Sequence, residues 1–234
     1  MQLFYLPNLD ENSKKATFSK EESRHLFKVL RKKIDDTILI TNGKNIFFNG
    51  KISSISKNNC EVDILNFEIK DKLNYSLHIV ISPLKSNERF EWFLEKASEI
   101  GISEITPIIC KRSERKFINK KRFNKVLISA MKQSLKAHHP ILNPITPLKD
   151  FYKKKFNDEL FIAHCNNSEK EFLINCLKPK TKNIVLIGPE GDFTENEVKK
   201  AIDLGFKPVS LGKSRFRAET AAIIATHTVS IVNM

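Results

Sequence analysis

The stretch Ile184-Val185-Leu186-Ile187-Gly188-Pro189-Glu190-Gly191-Asp192-Phe193-Thr194 reads as a buried strand that runs into a Gly-Pro-Glu-Gly turn and then into a helix. Thr194 and Glu197 stand at capping-box spacing, which starts that helix at Thr194. Glycines at the carboxyl end of a strand let the backbone approach a ligand closely. The same order recurs in Val209-Ser210-Leu211-Gly212-Lys213-Ser214-Arg215-Phe216-Arg217-Ala218-Glu219-Thr220-Ala221: strand, glycine turn, helix. One such loop is ordinary. Two close together predict opposite walls of one pocket.

Upstream, the chain alternates strands and helices from Tyr75 onward. Tyr75–Ser82, Glu104–Cys110, Glu159–His164, Asn183–Gly188 and Pro208–Leu211 read as strands. Between them, Phe90, Phe93, Leu94 and Ala97 share one helix face that stops at Gly101, and a second helix spans about 119–137. The last helix, from about Arg217, is small and apolar nearly all round, so it belongs in the core or a subunit interface, with His227 as a core histidine. This alternation predicts an α/β layer with a mostly parallel sheet. Before residue 70 the pattern is mainly strand. Ser19-Lys20-Glu21-Glu22 opens a helix carrying His25, Leu26, Val29 and Leu30 at helical spacing. Thr37–Thr41, Ile46–Ile55 and Cys60–Ile69 follow as strands, the first two joined by the hairpin turn Asn42-Gly43-Lys44-Asn45. A small barrel-like β domain fits this order, with Lys70–Asn74 as linker; the expected domains are 1–72 and 73–234.

Composition narrows the class. Of 234 residues, 41% are hydrophobic and 29% charged, which argues against wholesale disorder. No run approaches the ~18 apolar residues of a membrane span, and Met1–Pro7 is too short an apolar start for a signal peptide. Cys60, Cys110, Cys165 and Cys176 form no CxxC pair and read as free thiols in a reducing cytosol, so a cytoplasmic protein without membrane association is expected. His138-His139 and His164-Cys165 lack further ligands at workable spacing, so no metal is expected. Gly212-Lys213-Ser214 looks like the end of a nucleoside-triphosphate loop, but Lys207 stands where that motif needs its first glycine.

The net charge of +13 is unevenly placed: residues 111–155 hold 14 basic and 2 acidic side chains, a net +12. Such concentration predicts a polyanion-binding face. Arginine is scarce, yet five of the eight fall at Arg112, Arg115, Arg122, Arg215 and Arg217, positions that call for its planar donor fork. Within 119–137, Phe123, Val126, Leu127, Ala130, Met131 and Ser134 form the inward face and leave Lys121, Lys125, Lys132 and Lys136 elsewhere as phosphate-contact candidates.

Together the two glycine loops resemble the signature loops of the RsmE family, bacterial 16S rRNA uracil-N3 methyltransferases of the SPOUT class. The resemblance extends over the whole chain, through Arg89-Phe90-Glu91-Trp92, Lys96-Ala97-Ser98-Glu99-Ile100-Gly101, Arg112-Ser113, Lys132-Gln133-Ser134, His25-Leu26 and Val29-Leu30-Arg31. The usual second glycine of the first loop is Asp192 here, and the usual arginine and apolar residue of the second are Ser214 and Arg215, while the Arg-x-Glu-Thr-Ala core at 217–221 is intact.

The resemblance implies an α/β fold: a trefoil-knotted SPOUT methyltransferase domain with an N-terminal PUA-like β-barrel domain, assembled as a homodimer. It implies S-adenosylmethionine bound by Ile187, Gly188, Pro189, Glu190, Gly191, Ser210, Leu211, Gly212, Phe216, Arg217 and Thr220, and no metal. Arg217 is the expected stabiliser of a uracil anion and Glu190 the expected proton acceptor, with Glu219 acting as a second carboxylate or as a structural one. The RNA side, facing 16S rRNA or the small ribosomal subunit, is expected at Arg24, His25, Arg31, Arg112, Arg115, Lys116, Lys121, Arg122, Lys132, Gln133 and Lys136. Two other readings are a SPOUT enzyme acting on a ribose hydroxyl or a tRNA base, and a non-enzymatic RNA-binding assembly factor.

Overall fold

The computed structural model describes residues 2–166 and 169–234. It divides into two compact units, Met1–Lys72 with Ile128–His139, and Leu73–Leu127 with Pro140–Met234. The chain thus changes unit at the polar linker, but Ile128–His139 packs with the first unit. The unbroken apolar periodicity of that helix hides this change.

In the first unit, β1 (Leu3–Tyr5), β2 (Lys15–Phe18), β3 (Thr37–Thr41), β4 (Ile46–Ile55) and β5 (Cys60–Ile69) form one sheet in the order β1-β3-β4-β5-β2. Alternation sends Ile38, Ile40, Ile46, Phe48, Ile52, Cys60 and Val62 to its core, joined by Phe4 and Phe18. Register shifts at Asn49/Gly50 and Ile52/Ser54 bend the β4–β5 pair. Helix α1 (Lys20–Arg24) is capped by Ser19, whose Oγ accepts from Glu22 N at 3.3 Å, and continues as one π-helical turn over His25–Val29. The wider turn keeps Leu26 in the core but rotates Val29, expected on the inward face, to 66% exposure. Ile128–His139 is held by Asn45 N donating to Ala137 O and His139 N to Gly43 O, both 2.9 Å.

The second unit is a parallel sheet of β6 (Ser76–Ile81), β7 (Glu104–Ile109), β8 (Ile141–Leu142), β9 (Thr146–Pro147), β10 (Glu159–Ala163), β11 (Glu171–Phe172), β12 (Lys182–Ile187) and β13 (Lys207–Ser210). Its order is β11-β13-β10-β12-β6-β7-β8, with β9 also on β7. Both faces are covered, as parallel sheets require. Leu77, Ile79, Ile81, Val185 and Ile187 pack against α2 (Asn87–Ile100), the Phe123 and Leu127 positions of α3 (Lys120–Gln133), and α7 (Ala218–Val232). Val80, Ile184, Leu186 and Ile162 pack on the other face against α4 (Leu148–Phe151) and α6 (Glu195–Asp203). The short α5 (Leu173–Cys176) adds Leu173 to the first face. Gly101 ends α2 with φ 132°, a conformation suited to glycine. His227 is exposed on α7, which corrects its reading as a core histidine: the buried stripe runs through Ala218, Ala222, Ala225 and Val229. Among the described residues no helix is long and apolar enough to cross a membrane.

His139 stacks on Tyr5, with ring centroids 5.6 Å apart and planes 12° apart, and burial pushes its pKa down from 6.5 to about 4. The unfolded chain therefore takes up the proton first, and stability contributed by the neutral ring is lost as pH falls from 6.5 toward 4. His139→Phe should flatten the pH dependence of Tm in that interval. Equal slopes in the two proteins would show that the ring is not held neutral.

Candidate active site

The site follows from ladder register. Pro107, Ile81, Ile187, Ala163 and Val209 lie in one row across β7, β6, β12, β10 and β13. The next residues along three of these strands, Ser82, Gly188 and His164, leave the sheet at one height, beside Ser210 at the end of β13. Both glycine loops therefore emerge on either side of β10, about 10 Å apart at ordinary strand spacing. The capping box at the start of α6 is complete: Thr194 Oγ1 accepts from Glu197 N (3.3 Å), and Glu197 Oε2 accepts from Thr194 N (2.8 Å).

The two glycines also make room within the chain. A Cβ on Gly188 would meet the Phe193 ring at 3.1 Å, and one on Gly212 would meet Phe216 Cε2 at 2.8 Å. The chain's own aromatic rings occupy these spaces. Gly188→Val would therefore disturb the buried Phe193 as well as any ligand. In the second loop, Ser210 Oγ donates to Gly212 O at 2.9 Å.

Asp192, where the resemblance leads one to expect glycine, sits at a left-handed position, φ 62°. Aspartate tolerates that region better than most residues, because its short carboxylate can bond nearby backbone. Here Oδ1 accepts from Phe193 N and Oδ2 from Cys165 N, each at 2.7 Å, which fastens the loop to the end of β10.

Ser82, Ser113 and His164, none of them among the expected site residues, lie beside the loops. Ser82 and Ser113, both buried, share a hydrogen bond of 2.7 Å, and Ser113 Oγ accepts from Cys110 N at 2.8 Å. Ser113 is thus a pin between β6 and the segment after β7. His164 is 8% exposed, and its Nδ1 accepts from Asn166 N at 3.2 Å, which places the ring proton on Nε2. That Nε2 is buried without a hydrogen-bond partner among the described residues. Burial foremost, with Lys170 adding to it, lowers the His164 pKa against the opposing pull of Asp192, so the ring is a neutral donor.

Of the expected cofactor residues, Ile187, Gly188 and Pro189 are buried, Glu190 and Gly191 exposed, and Ser210, Leu211, Gly212, Phe216 and Thr220 half-buried. Glu190 Oε1 accepts from Lys85 N at 3.0 Å. Arg217 is exposed and forms the N-cap of α7, and its guanidinium has no partner among the described residues. Glu219 is buried and lies 3.9 Å from Arg89 Nε, so it is paired away from Arg217.

The expected RNA residues divide by engagement. In the second unit Arg112 Nη1 donates to Gly191 O at 2.9 Å, Arg115 bonds Asn87, and Arg122 grips Glu91 with Nε and with Nη2, the latter at 3.0 Å. Lys116 and Lys121 are exposed. In the first unit Lys132 Nζ reaches Glu22 at 3.0 Å, His25 contacts Gln2, and Lys136 is half-buried with its pKa lowered by burial. Arg24, Arg31 and Gln133 are exposed. Among the described residues no group of three His, Cys, Asp or Glu could hold a metal ion.

Residues 71–230 match the model of an RNA methyltransferase domain, and residues 18–65 that of an RNA methyltransferase PUA domain. The chain is 33% identical over 220 residues to ribosomal RNA small subunit methyltransferase E of Buchnera aphidicola, covering 89% of this chain and 85% of that one. It is 28% identical to the protein of the same name from Rickettsia conorii, covering 99% and 95%. Among solved structures, a probable rRNA-methyltransferase from Porphyromonas gingivalis is 34% identical with a TM-score of 0.92, covering 100% of this chain and 98% of that one. A ribosomal RNA small subunit methyltransferase E from Neisseria gonorrhoeae, bound to S-adenosyl methionine, is 26% identical with a TM-score of 0.88 and the same coverage.

Two substitutions at Asp192 separate its bonds from its backbone angle. Asp192→Ala loses both backbone bonds and keeps the left-handed cost, whereas Asp192→Gly loses the bonds but not the conformation. The glycine variant should be more stable than the alanine variant by about 1 kcal/mol in chemical denaturation. Equal losses would mean that the backbone angle carries no cost.

Proposed function

This chain belongs to the ribosomal RNA small subunit methyltransferase E family, and from that premise we propose that it transfers a methyl group from S-adenosylmethionine to N3 of a uracil in 16S rRNA. The reading is carried by two glycine loops set across β10, the second leading into Arg217, whose guanidinium no acidic group among the described residues occupies.

The residues present fit the cofactor. Backbone groups of Ile187–Gly191 and Ser210–Phe216, with Thr220, would hold it, and the buried His164 Nε2–H is a donor still lacking an acceptor. When bound, S-adenosylmethionine supplies an electrophilic methyl group. We also read the insertion of β12 and β13 among earlier strands as the trefoil knot. The half-buried Ile223 and Ile224 and the exposed Ile231 of α7 are our candidate face for a homodimer.

Uracil N3 carries a proton at neutral pH and is a poor nucleophile until it leaves. In our reading Arg217 stabilises the resulting anion through its planar fork, and the exposed Glu190 accepts the proton. Glu219, buried beside Arg89, takes the structural role. N3 lies on the Watson–Crick edge, so the target base must be unpaired or flipped. Lys116, Lys121, Arg24 and Arg31 are the phosphate contacts we favour, being exposed and without ion pairs among the described residues.

Nucleoside mass analysis of 16S rRNA should show 3-methyluridine in cells with the protein and its loss in cells without it; a mark that persists rejects the assignment. Arg217→Lys keeps the charge and removes the fork, so single-turnover rate should fall by about 10²–10³ with little change in RNA affinity. A near-normal rate would remove Arg217 from the chemistry.

A further inference from the structure

A second concavity lies in the same unit, on the sheet face that carries α4 and α6. It is a cleft of about 440 Å³, within the roughly 300–1,000 Å³ usual for ligand sites. Ile109, Pro147 and Leu148 contribute apolar lining, and Lys111, Lys149 and Lys200, all exposed, contribute the cationic lining. None of the three ammonium groups has an ion pair among the described residues. The acidic group lining the cleft, Glu197, is spent on backbone and hydroxyl: its carboxylate accepts from Lys111 N and Thr194 N at 2.8 Å and from Thr194 Oγ1 at 2.9 Å.

We propose that this cleft binds a single-stranded segment of the substrate RNA next to the target base, with the lysines on its phosphates and a base against the apolar lining. The proposal rests on the methyltransferase reading above and extends it to a site outside the glycine loops. Two observations favour RNA as the occupant. Three unpaired cations around an apolar floor match a chain of phosphates and flat bases. The cleft is also continuous with the cofactor loop: Thr194 ends that loop and lines the cleft, and Lys111 lines the cleft while Arg112 holds Gly191 O. A strand in the cleft would therefore run next to the first glycine loop.

The test uses the full-length Lys149→Ala/Lys200→Ala protein, whose two positions are exposed and outside the loops. Affinity for protein-free 16S rRNA is measured against salt, and S-adenosylmethionine affinity by calorimetry. Losing two single-strand phosphate contacts should make the log–log salt slope shallower by about 1.4, so that affinity falls about sevenfold less between about 50 and 200 mM salt. S-adenosylmethionine affinity should not change, and Lys149→Arg/Lys200→Arg should restore the slope. An unchanged slope overturns the proposal. So does a loss seen only with assembled small subunits, which would assign the cleft to an acidic ribosomal protein. If the unsubstituted protein methylated rRNA neither free nor in the small subunit, the methyltransferase reading itself would fall; if it methylates rRNA while the double variant keeps its slope, only the cleft assignment falls.

Discussion

The parallel pairing of β10 with β12 on one side and β13 on the other is the constraint on which the rest depends. Once Ala163 is in register with Ile187 and with Val209, the two loops have no freedom in height or separation. Up to that row the backbone is paired in strand ladders, and beyond it the two loops leave the sheet. This is why ligands of open α/β sheets collect at the carboxyl ends of strands. The order of events along the chain matters too. β10 and β11 are laid down first, and β12 and β13 are then inserted beside them, so the two walls can close only when the last third of the chain is in place.

The loops are also shaped before any ligand arrives. Phe193 lies against Gly188, Phe216 against Gly212, and the Asp192 carboxylate ties its loop to Cys165 N. Arg112 then fastens the same loop from the segment after β7. A loop held from three sides loses less conformational freedom on binding than a free one, which lowers the entropic cost of association. Asp192 adds two bonds at a left-handed position where a glycine would add none.

Local signals in the sequence carried much of the fold. Thr37–Thr41, Ile46–Ile55 and Cys60–Ile69 are strands over those same residues, because alternation and turn residues bound them on both sides. The Thr194–Glu197 cap and the Gly101 stop are equally local. What escaped is non-local. Two-residue strands such as β8, β9 and β11 exist only through their partners, and no period of two can be read from two residues. The π turn at His25–Val29 leaves the apolar spacing nearly unchanged while moving Val29 to the surface. The pins of the site, Ser82 with Ser113 and Asp192 with Cys165, join residues 31 and 27 positions apart, and neither pair has a motif.

Charge counting shows the same limit, with a functional consequence. The +12 window was legible, but its cations are not equivalent. Glu91 and Glu22, both outside the window, neutralise Arg122 and Lys132, and Gly191 O takes up part of the Arg112 fork. A guanidinium bonded to the first glycine loop cannot be removed without loosening that loop, so a variant at Arg112 would confound loss of a cation with loss of loop order. Among the described residues the side chains of Lys149 and Lys200 make no hydrogen bond or ion pair with the loops, so they can be changed alone. The cations open to a polyanion are therefore those with no internal partner among the described residues, and partners can be assigned only after the chain has folded.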